Sequence, residues 1–500
     1  MDLQDYAQHI GGEAVAAADG ETYITHNPAN GRPWGRFPAG KSADVARAVA
    51  AAMEALQGSW GSMAPTRRGR LLIEWARAIS VNAEKIARLE TAQNGKIFRD
   101  CLNQARDLEN WLYYYGGQAD KIEGTVVPLL RQSILNYTLR EPLGVIGIIT
   151  PWNSPASLTM SSAAPALAAG NAIVIKPSEV TPASILEIAR LAEEAGIPKG
   201  VINVVTGGRD AGEALVDHPD IAKIAFTGSV EAGRAIAERA GKRLIGCTLE
   251  LGGKSPNIVF PDADLARAEA GVLGGIFAST GQTCVAGSRA YVHESLFDSF
   301  VERLATRARQ IVLGDPMDPR TQMGPVSTEL QLQKDERLVA EALSEGAVKI
   351  AGGERVSPPG CEDGYFYAPT VLTKLNPAAS ILKTEVFGPV LSVLPFKSED
   401  DVVAMANDSP FGLAAGFWTR DFARAHRLAR RLEAGTVWIN MYRAFAFNSP
   451  MSGHKQSGIG WQNGSEAIFQ YLKTKSVWCE TGEDNGDMFA RAQPASTGRE

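Results

Sequence analysis

A run of 32 residues, 144–175, carries no charged side chain, and no other feature constrains the fold as much. The run exceeds the ~20 apolar residues that cross a bilayer. Pro151, Pro155, Pro165 and the polar stretch Trp152-Asn153-Ser154 nevertheless divide it into strand, loop, helix and strand. A unit so apolar must be covered on both faces, which points to a parallel sheet under helices rather than to a membrane span. The pattern continues downstream. Strands are expected at 145–149, 172–175, 201–205 and 221–226, and helices at 157–169, 182–195, 211–216 and 231–240. This alternation predicts an α/β fold with a doubly wound parallel sheet.

Upstream, residues 42–122 read as helical, with Leu71, Leu72, Trp75, Ala78 and Ile79 at three- and four-residue spacing. Residues 126–130 and 134–138 suggest a hairpin. A second α/β set follows, with strands at 256–260, 290–293, 348–350, 390–395 and 436–439 and helices at 263–278 and 296–312. The chain closes on a strand at 476–479 and a Gly/Asp/Ser-rich tail, with no internal repeat. At 500 residues the chain exceeds the ~250–300 at which a single core stops growing, so more than one domain is expected.

Charge and cysteine content exclude several classes. The net charge is −6 with no dense Lys/Arg run, which argues against nucleic acid as a partner. Five separated cysteines with no C-x-x-C pair suit a reducing compartment better than a disulfide framework or a metal cluster, so no metal is expected. The N-terminus lacks a basic region followed by an apolar stretch, and a cytoplasmic protein without a membrane partner is the expectation.

Six segments could carry chemistry. Cys284, in Gly281-Gln282-Thr283-Cys284-Val285-Ala286-Gly287-Ser288-Arg289, is ringed by small residues that would admit a substrate to a thiolate. A buried structural cysteine fits the same residues equally well. Glu250 lies between two leucines before Gly252 and Gly253, where desolvation would raise its carboxyl toward a general base; a salt bridge to Lys254 is the alternative. Asn153, in Thr150-Pro151-Trp152-Asn153-Ser154-Pro155, ends a parallel strand, where ligands collect, and could donate to an oxyanion or simply form a turn. Lys176, Ser178 and Glu179 follow the next strand and could hold a ribose or form a solvated loop. Phe226-Thr227-Gly228-Ser229 opens a helix whose N-terminus attracts phosphate, though it is not a G-x-G-x-x-G fingerprint. Glu385 and Phe387, at a tight turn, identify nothing alone.

Taken in order and separation, these segments resemble the aldehyde dehydrogenase superfamily over roughly residues 20–480. The pairing of Glu-Leu-Gly-Gly-Lys with Gly-Gln-x-Cys-x-Ala-Gly-x-Arg, 34 residues apart from Glu250 to Cys284, carries the resemblance. It implies that Cys284 attacks an aldehyde, that Asn153 and the Cys284 backbone N–H hold the oxyanion, and that Glu250 activates water to release a carboxylic acid. It implies NAD as cofactor, with Ile149, Thr150, Trp152, Lys176, Ser178, Glu179, Gly228, Ser229, Gly253, Glu385 and Phe387 around it. The acidic Glu179 would repel a 2′-phosphate and disfavour NADP. The resemblance further implies a Rossmann-like cofactor domain (1–122 and 143–250), a catalytic domain (251–451), and a β oligomerisation arm (123–142 and 470–482) of a homodimer or homotetramer. Residues 483–500 would form a tail. The alternatives are a CoA-acylating semialdehyde dehydrogenase of the same fold, which Glu250 disfavours, and a catalytically silent relative.

Departures from the family pattern bear on the small-molecule aldehyde. Ser154, Ser161 and Ala278 stand where many relatives have rings, and Pro450-Met451-Ser452-Gly453 and Gly460-Trp461-Gln462 replace Pro-Phe-Gly-Gly and Gly-Arg-Glu. A wider or reshaped pocket is expected, lined by Ser154, Leu158, Ser161, Thr283, Arg443, Phe445 and Met451. Arg443 is expected either to recognise a substrate carboxylate or to be a surface arginine.

Overall fold

A computed structural model describes residues 3–482 and 489, so the expected tail lies outside the described residues apart from Phe489. Four helices occupy the predicted helical region: α1 (Ser42–Gln57), α2 (Pro65–Val81), α3 (Ala83–Asn94) and α4 (Phe98–Gly116). They bury the spaced apolar residues; Leu72, Trp75 and Ile79 of α2 pack beneath Leu108, Leu112 and Tyr115 of α4. The charge-free run then becomes strand β1 (Val145–Ile149), helix α5 (Pro155–Ala168) and strand β2 (Ala172–Lys176). Every residue of both strands is buried. No helix among the described residues is long and apolar enough to cross a membrane.

The chain continues through α6 (Ala183–Glu194), β3 (Ile202–Val204), α7 (Arg209–Asp217), β4 (Ile221–Thr227), α8 (Val230–Lys242) and β5 (Gly246–Glu250). These strands form a parallel sheet in the order β5-β4-β1-β2-β3. Antiparallel strands cover its edges: Gly458–Ile459 beside β5, and Gln8–Ile10 with Glu13–Val15 beside β3. Between β1 and β4 the order reverses, which opens a crevice at the C-terminal ends of the strands.

Six residues after Glu250 a second sheet begins. Its strands are β6 (Pro256–Val259), β7 (Arg289–His293), β8 (Thr370–Thr373), β9 (Val390–Phe396), β10 (Ala414–Trp418) and β11 (Thr436–Ile439), in the order β8-β9-β7-β6-β10-β11, with Val348–Ala351 antiparallel at the β8 edge. Helix α9 (Leu265–Phe277) links β6 to β7 through the segment holding Cys284, and α10 (Phe297–Arg309) and α11 (Glu329–Ser344) pack around the sheet. Strands β5, β8 and β10, and the N-terminal strands, escaped the sequence reading. Their patterns are short and interrupted, and long-range pairing rather than local propensity makes them strands.

A third sheet pairs Ile134–Pro142 with Leu472–Glu480 over nine residue pairs, with Val126–Val127 on its other side. Trp478 is 61% exposed, and Leu130, Val126, Leu135 and Leu139 are also open to solvent.

Asn171 joins several of these pieces. Fully buried, its Nδ2 donates to the carbonyls of Ala166 (2.9 Å) and Tyr471 (3.0 Å), and its Oδ1 accepts from the Gly144 N–H (2.9 Å). Asn171→Ala would leave the half-buried Gly144 N–H without its partner and take one of two donors from each of the Ala166 and Tyr471 carbonyls, costing about 1–3 kcal/mol. A thermal melt should show a midpoint several degrees lower; an unchanged midpoint would deny Asn171 this role.

Candidate functional site

The site lies where the C-terminal edge of the first sheet meets the start of the second. Glu250 is the last residue of β5, and residues 251–255 carry the chain across to β6. The crossing is strapped by the 457–459 segment: the Leu251 N–H donates to the Ser457 carbonyl (2.8 Å), and Ser457 Oγ donates to the Gly252 carbonyl (2.7 Å). A Cβ on Gly253 would stand 2.4 Å from the Cys284 carbonyl oxygen, so a glycine is required for this close approach.

Glu250 is buried, and neither carboxylate oxygen has a hydrogen-bond partner among the described residues. Burial holds its carboxyl well above the ordinary range. The alternative, a salt bridge to Lys254, does not form. Lys254 is also buried with an unpartnered Nζ, and burial followed by repulsion from Arg289 lowers its ammonium to about 7. Cys284 is partly accessible. Desolvation, then the charges of Glu385 and Glu250, push its thiol up to about 12. Glu385 Oε1 accepts from the Gly253 N–H at 2.9 Å.

Asn153 Nδ2 donates to the Gln282 carbonyl at 2.9 Å, two residues before Cys284. One amide proton is therefore committed to holding the cysteine loop, and the other is left for a ligand. A ring of bonds closes behind it. The Ser327 N–H donates to Gln282 Oε1 (2.8 Å), Ser327 Oγ to the Asn94 carbonyl (2.7 Å), and Asn94 Nδ2 to the Trp152 carbonyl (3.2 Å). The Phe387 ring meets Trp152 edge-on at 5.4 Å.

Around the crevice, Ile149, Lys176, Phe226 and Ser229 line a groove of about 310 Å³, walled by Gly208, Arg209 and Glu213 near or on α7 and by Glu231 and Arg239 on α8. Lys176 Nζ lies 3.3 Å from Glu179 Oε2. Ser229 caps α8, its Oγ accepting from the Ala232 N–H, and the Gly228 N–H donates to the Glu250 carbonyl. Ser178 and Thr150 are buried; Ser178 Oγ accepts from Val180, and Thr150 Oγ1 accepts from the Thr159 hydroxyl.

The expected pocket residues divide. Met451, Cys284 and Tyr442 pack on one cluster of Val285, Leu413, Ala414 and Trp438. Leu158 and Thr283 are half-buried. Phe445 is 49% exposed and meets Trp438 edge-on. Ser154 Oγ accepts from Lys96 Nζ at 2.8 Å, and the same ammonium donates to Gln104 Oε1 at 2.8 Å. Ser161 is buried; its hydroxyl contacts the Leu158 carbonyl and Gln462 Oε1, so Gln462 takes up space beside it. Gln462 Nε2 donates to Ser162 Oγ, and its backbone exchanges two 2.8 Å bonds with Met451. The altered 460–462 stretch is thereby packed. Arg443 is half-buried, and its guanidinium donates to the Ala278 carbonyl (2.8 Å) and to Ser279 Oγ (3.2 Å).

Comparison with known proteins agrees with this geometry. A model of the aldehyde dehydrogenase family matches residues 15–477. The chain belongs to the aldehyde dehydrogenase family. It is 43% identical over 477 residues to an aldehyde dehydrogenase of Enchytraeus buchholzi, covering 94% of this chain and 95% of that one. It is 41% identical over 481 residues to the (Z)-2-((N-methylformamido)methylene)-5-hydroxybutyrolactone dehydrogenase of Acinetobacter baylyi, covering 95% and 97%. The solved NAD+ complex of an aldehyde dehydrogenase from Bacillus cereus matches with a TM-score of 0.93 at 41% identity, covering 96% and 97%. Betaine aldehyde dehydrogenase from Staphylococcus aureus with NAD+ matches at 0.95 and 36%, covering 97% of each chain. The family's α/β fold is the one predicted from the alternating strands and helices.

Sequence reasoning found the α8 N-terminus through Gly228 and Ser229 but missed the wall formed by Gly208, Arg209 and Glu213, because α7 carries no motif. It also missed Lys96, for which the Asn94-Gly95-Lys96 turn, with Gly95 left-handed at the end of α3, was a usable signal. Gln462 was marked only as a departure in the 460–462 stretch, not as the partner of Ser161.

A carboxyl raised in the folded state favours its protonated form there, so its contribution to stability is complete at low pH and fades as pH rises. Glu250→Gln removes that dependence. The variant should melt higher than the parent at pH 8–9, with the difference shrinking toward pH 5. A pH-independent difference would show that Glu250 is not held protonated by burial.

Proposed function

We propose that this chain oxidises an aldehyde to a carboxylic acid with NAD, using Cys284 as nucleophile and Glu250 as base. The buried, unpartnered carboxylate of Glu250, close enough to influence the Cys284 thiol, carries the reading. A charge left without partners in an apolar site is costly, and such groups concentrate where proton transfer is needed.

The roles follow from the geometry. Cys284 Sγ adds to the aldehyde carbon while its proton passes to a base; the raised carboxyl of Glu250 is suited to receive it. The uncommitted amide proton of Asn153 donates to the oxygen as negative charge develops there. Lys176 and Glu179 would hold the adenosine ribose, the α8 N-terminus with Ser229 the pyrophosphate, and Glu385 the nicotinamide ribose. Bound in this groove, NAD supplies the hydride acceptor that takes the thiohemiacetal to a thioester. After passing the thiol proton to solvent, Glu250 takes a proton from water, whose oxygen attacks the thioester carbon; the C–S bond breaks, the departing Cys284 thiolate regains that proton from Glu250, and the acid leaves.

The domain boundaries named above are proposed with this reading, as is a cytoplasmic homo-oligomer. The third sheet supports assembly, since Trp478, Leu130 and Val126 expose apolar surface that a second copy would cover.

Glu250→Gln should give one fast turnover of NADH and then stall, read by stopped-flow absorbance. Steady turnover at the parent rate would remove Glu250 as the base, and an acyl-CoA product in place of free acid would favour the CoA-acylating alternative. Glu179→Gln, by removing like-charge repulsion of a 2′-phosphate, should raise kcat/KM with NADP by about tenfold. An unchanged NAD/NADP ratio would separate Glu179 from cofactor choice.

A further inference from the structure

The loop before Cys284 has an unusual backbone. Ser279 (φ 55°), Thr280 (φ 57°) and Gly281 (φ 72°) are consecutive and left-handed. Only the glycine adopts this region readily. A Cβ at Gly281 would lie 2.1 Å from the Gly388 carbonyl oxygen, so the segment is also tightly enclosed. Two non-glycine residues persist in this conformation only where the surroundings over-determine it.

Part of that restraint comes from known site residues: Asn153 and Ser327 hold Gln282, and Thr280 Oγ1 donates to the Gly324 carbonyl at 3.0 Å. The rest comes from Arg443, which the reaction scheme leaves without a role. Its Nη1 donates to the carbonyls of Ala278 (2.8 Å) and Gly274 (3.4 Å), at the C-terminal end of α9, and its Nη2 contacts Ser279 Oγ at 3.2 Å. A guanidinium there satisfies carbonyls that a helix leaves unpaired and complements the negative end of its dipole. Arg443 is itself left-handed (φ 61°), so its own loop is shaped to bring it inward. The fork geometry of arginine engages the last turn of the helix and the first strained residue together.

We propose that Arg443 is a positioning residue for Cys284: by clamping the end of α9 to Ser279, it holds the left-handed segment that sets where the nucleophile stands. This assigns Arg443 neither of its two expected roles, substrate carboxylate recognition or a solvated surface position. It rests on Cys284 being the nucleophile.

The test is the pre-steady-state NADH burst, which reports attack and hydride loss before product release. Arg443→Ala should slow the burst by roughly 10- to 100-fold, as displacements of about 1 Å at a reacting centre do. The Kd for NAD should not change. KM for neutral and for carboxylate-bearing aldehydes should shift alike, and Arg443→Lys, which keeps a donor for the Ala278 carbonyl, should recover part of the burst rate. A merely structural arginine would lower the melting temperature and leave the burst of the folded fraction at the parent rate; that result overturns the proposal. A KM increase confined to acidic aldehydes overturns it in favour of substrate recognition. If Arg443→Ala does not fold, Arg443→Lys and Ser279→Ala carry the test, and parent-rate bursts in both refute it. Cys284→Ala separates the two readings. Retained turnover there means the nucleophile is wrongly assigned, whereas a dead Cys284→Ala beside a parent-rate Arg443→Ala burst removes the clamp alone.

Discussion

The hydrogen bond from Asn153 Nδ2 to the Gln282 carbonyl spans 129 residues, and the site depends on it. Asn153 stands just past the strand end where the order of the first sheet reverses. Gln282 stands in the loop that leads into the second sheet. Neither unit can place Cys284 alone. The bond fixes the cysteine loop against the oxyanion donor, and the donor is fixed in turn through Trp152, Asn94 and Ser327. This closed ring draws Asn94 from the N-terminal helices, Trp152 and Asn153 from the end of a strand of the first sheet, and Gln282 and Ser327 from the second unit. Folding of the whole chain is therefore a condition for the geometry.

Desolvation is the second determinant. The crossing from β5 to β6 carries two ionisable groups, Glu250 and Lys254, into surroundings that offer neither a partner. Both respond by moving toward neutrality, the acid upward and the base downward. They do not pair with each other, and a buried ion pair there would have fixed the carboxylate in its charged form. The Gly252-Gly253 step between them lets the backbone pass close to the Cys284 carbonyl and to Glu385, which side chains would prevent. The same apolar surroundings that hold the thiol protonated also raise the nearby carboxyl toward the range in which it can accept a proton.

The elements legible in the sequence carried either a near-continuous apolar run or a regular helical spacing. β1 and β2 read directly because every residue in them except the closing Lys176 is apolar or small, and α2 and α4 read from their spacing. Strands such as β5 and β10 were not legible, because Gly246-Cys247-Thr248 and Ala414-Ala415-Gly416 interrupt the apolar, β-branched pattern that marks a strand. The chemistry-bearing segments were visible as local oddities: a cysteine among small residues, a carboxylate between leucines, an asparagine beside prolines. None identified itself alone. The order and separation of the segments supplied the family, and the matches to relatives agree with it.

Composition and periodicity, by themselves, determined the α/β class and the position of the first sheet, since burial leaves a mark on every residue of a central strand. The Glu250–Cys284 pairing determined the family. Tertiary structure decided what each polar group is bonded to. It left Glu250 without the lysine four residues away, filled the space beside Ser161 with Gln462, tied Ser154 to Lys96, and turned Arg443 onto the end of α9. Those outcomes depend on residues brought together across tens to hundreds of positions, and hydrogen bonds at that range leave no periodic trace in the chain.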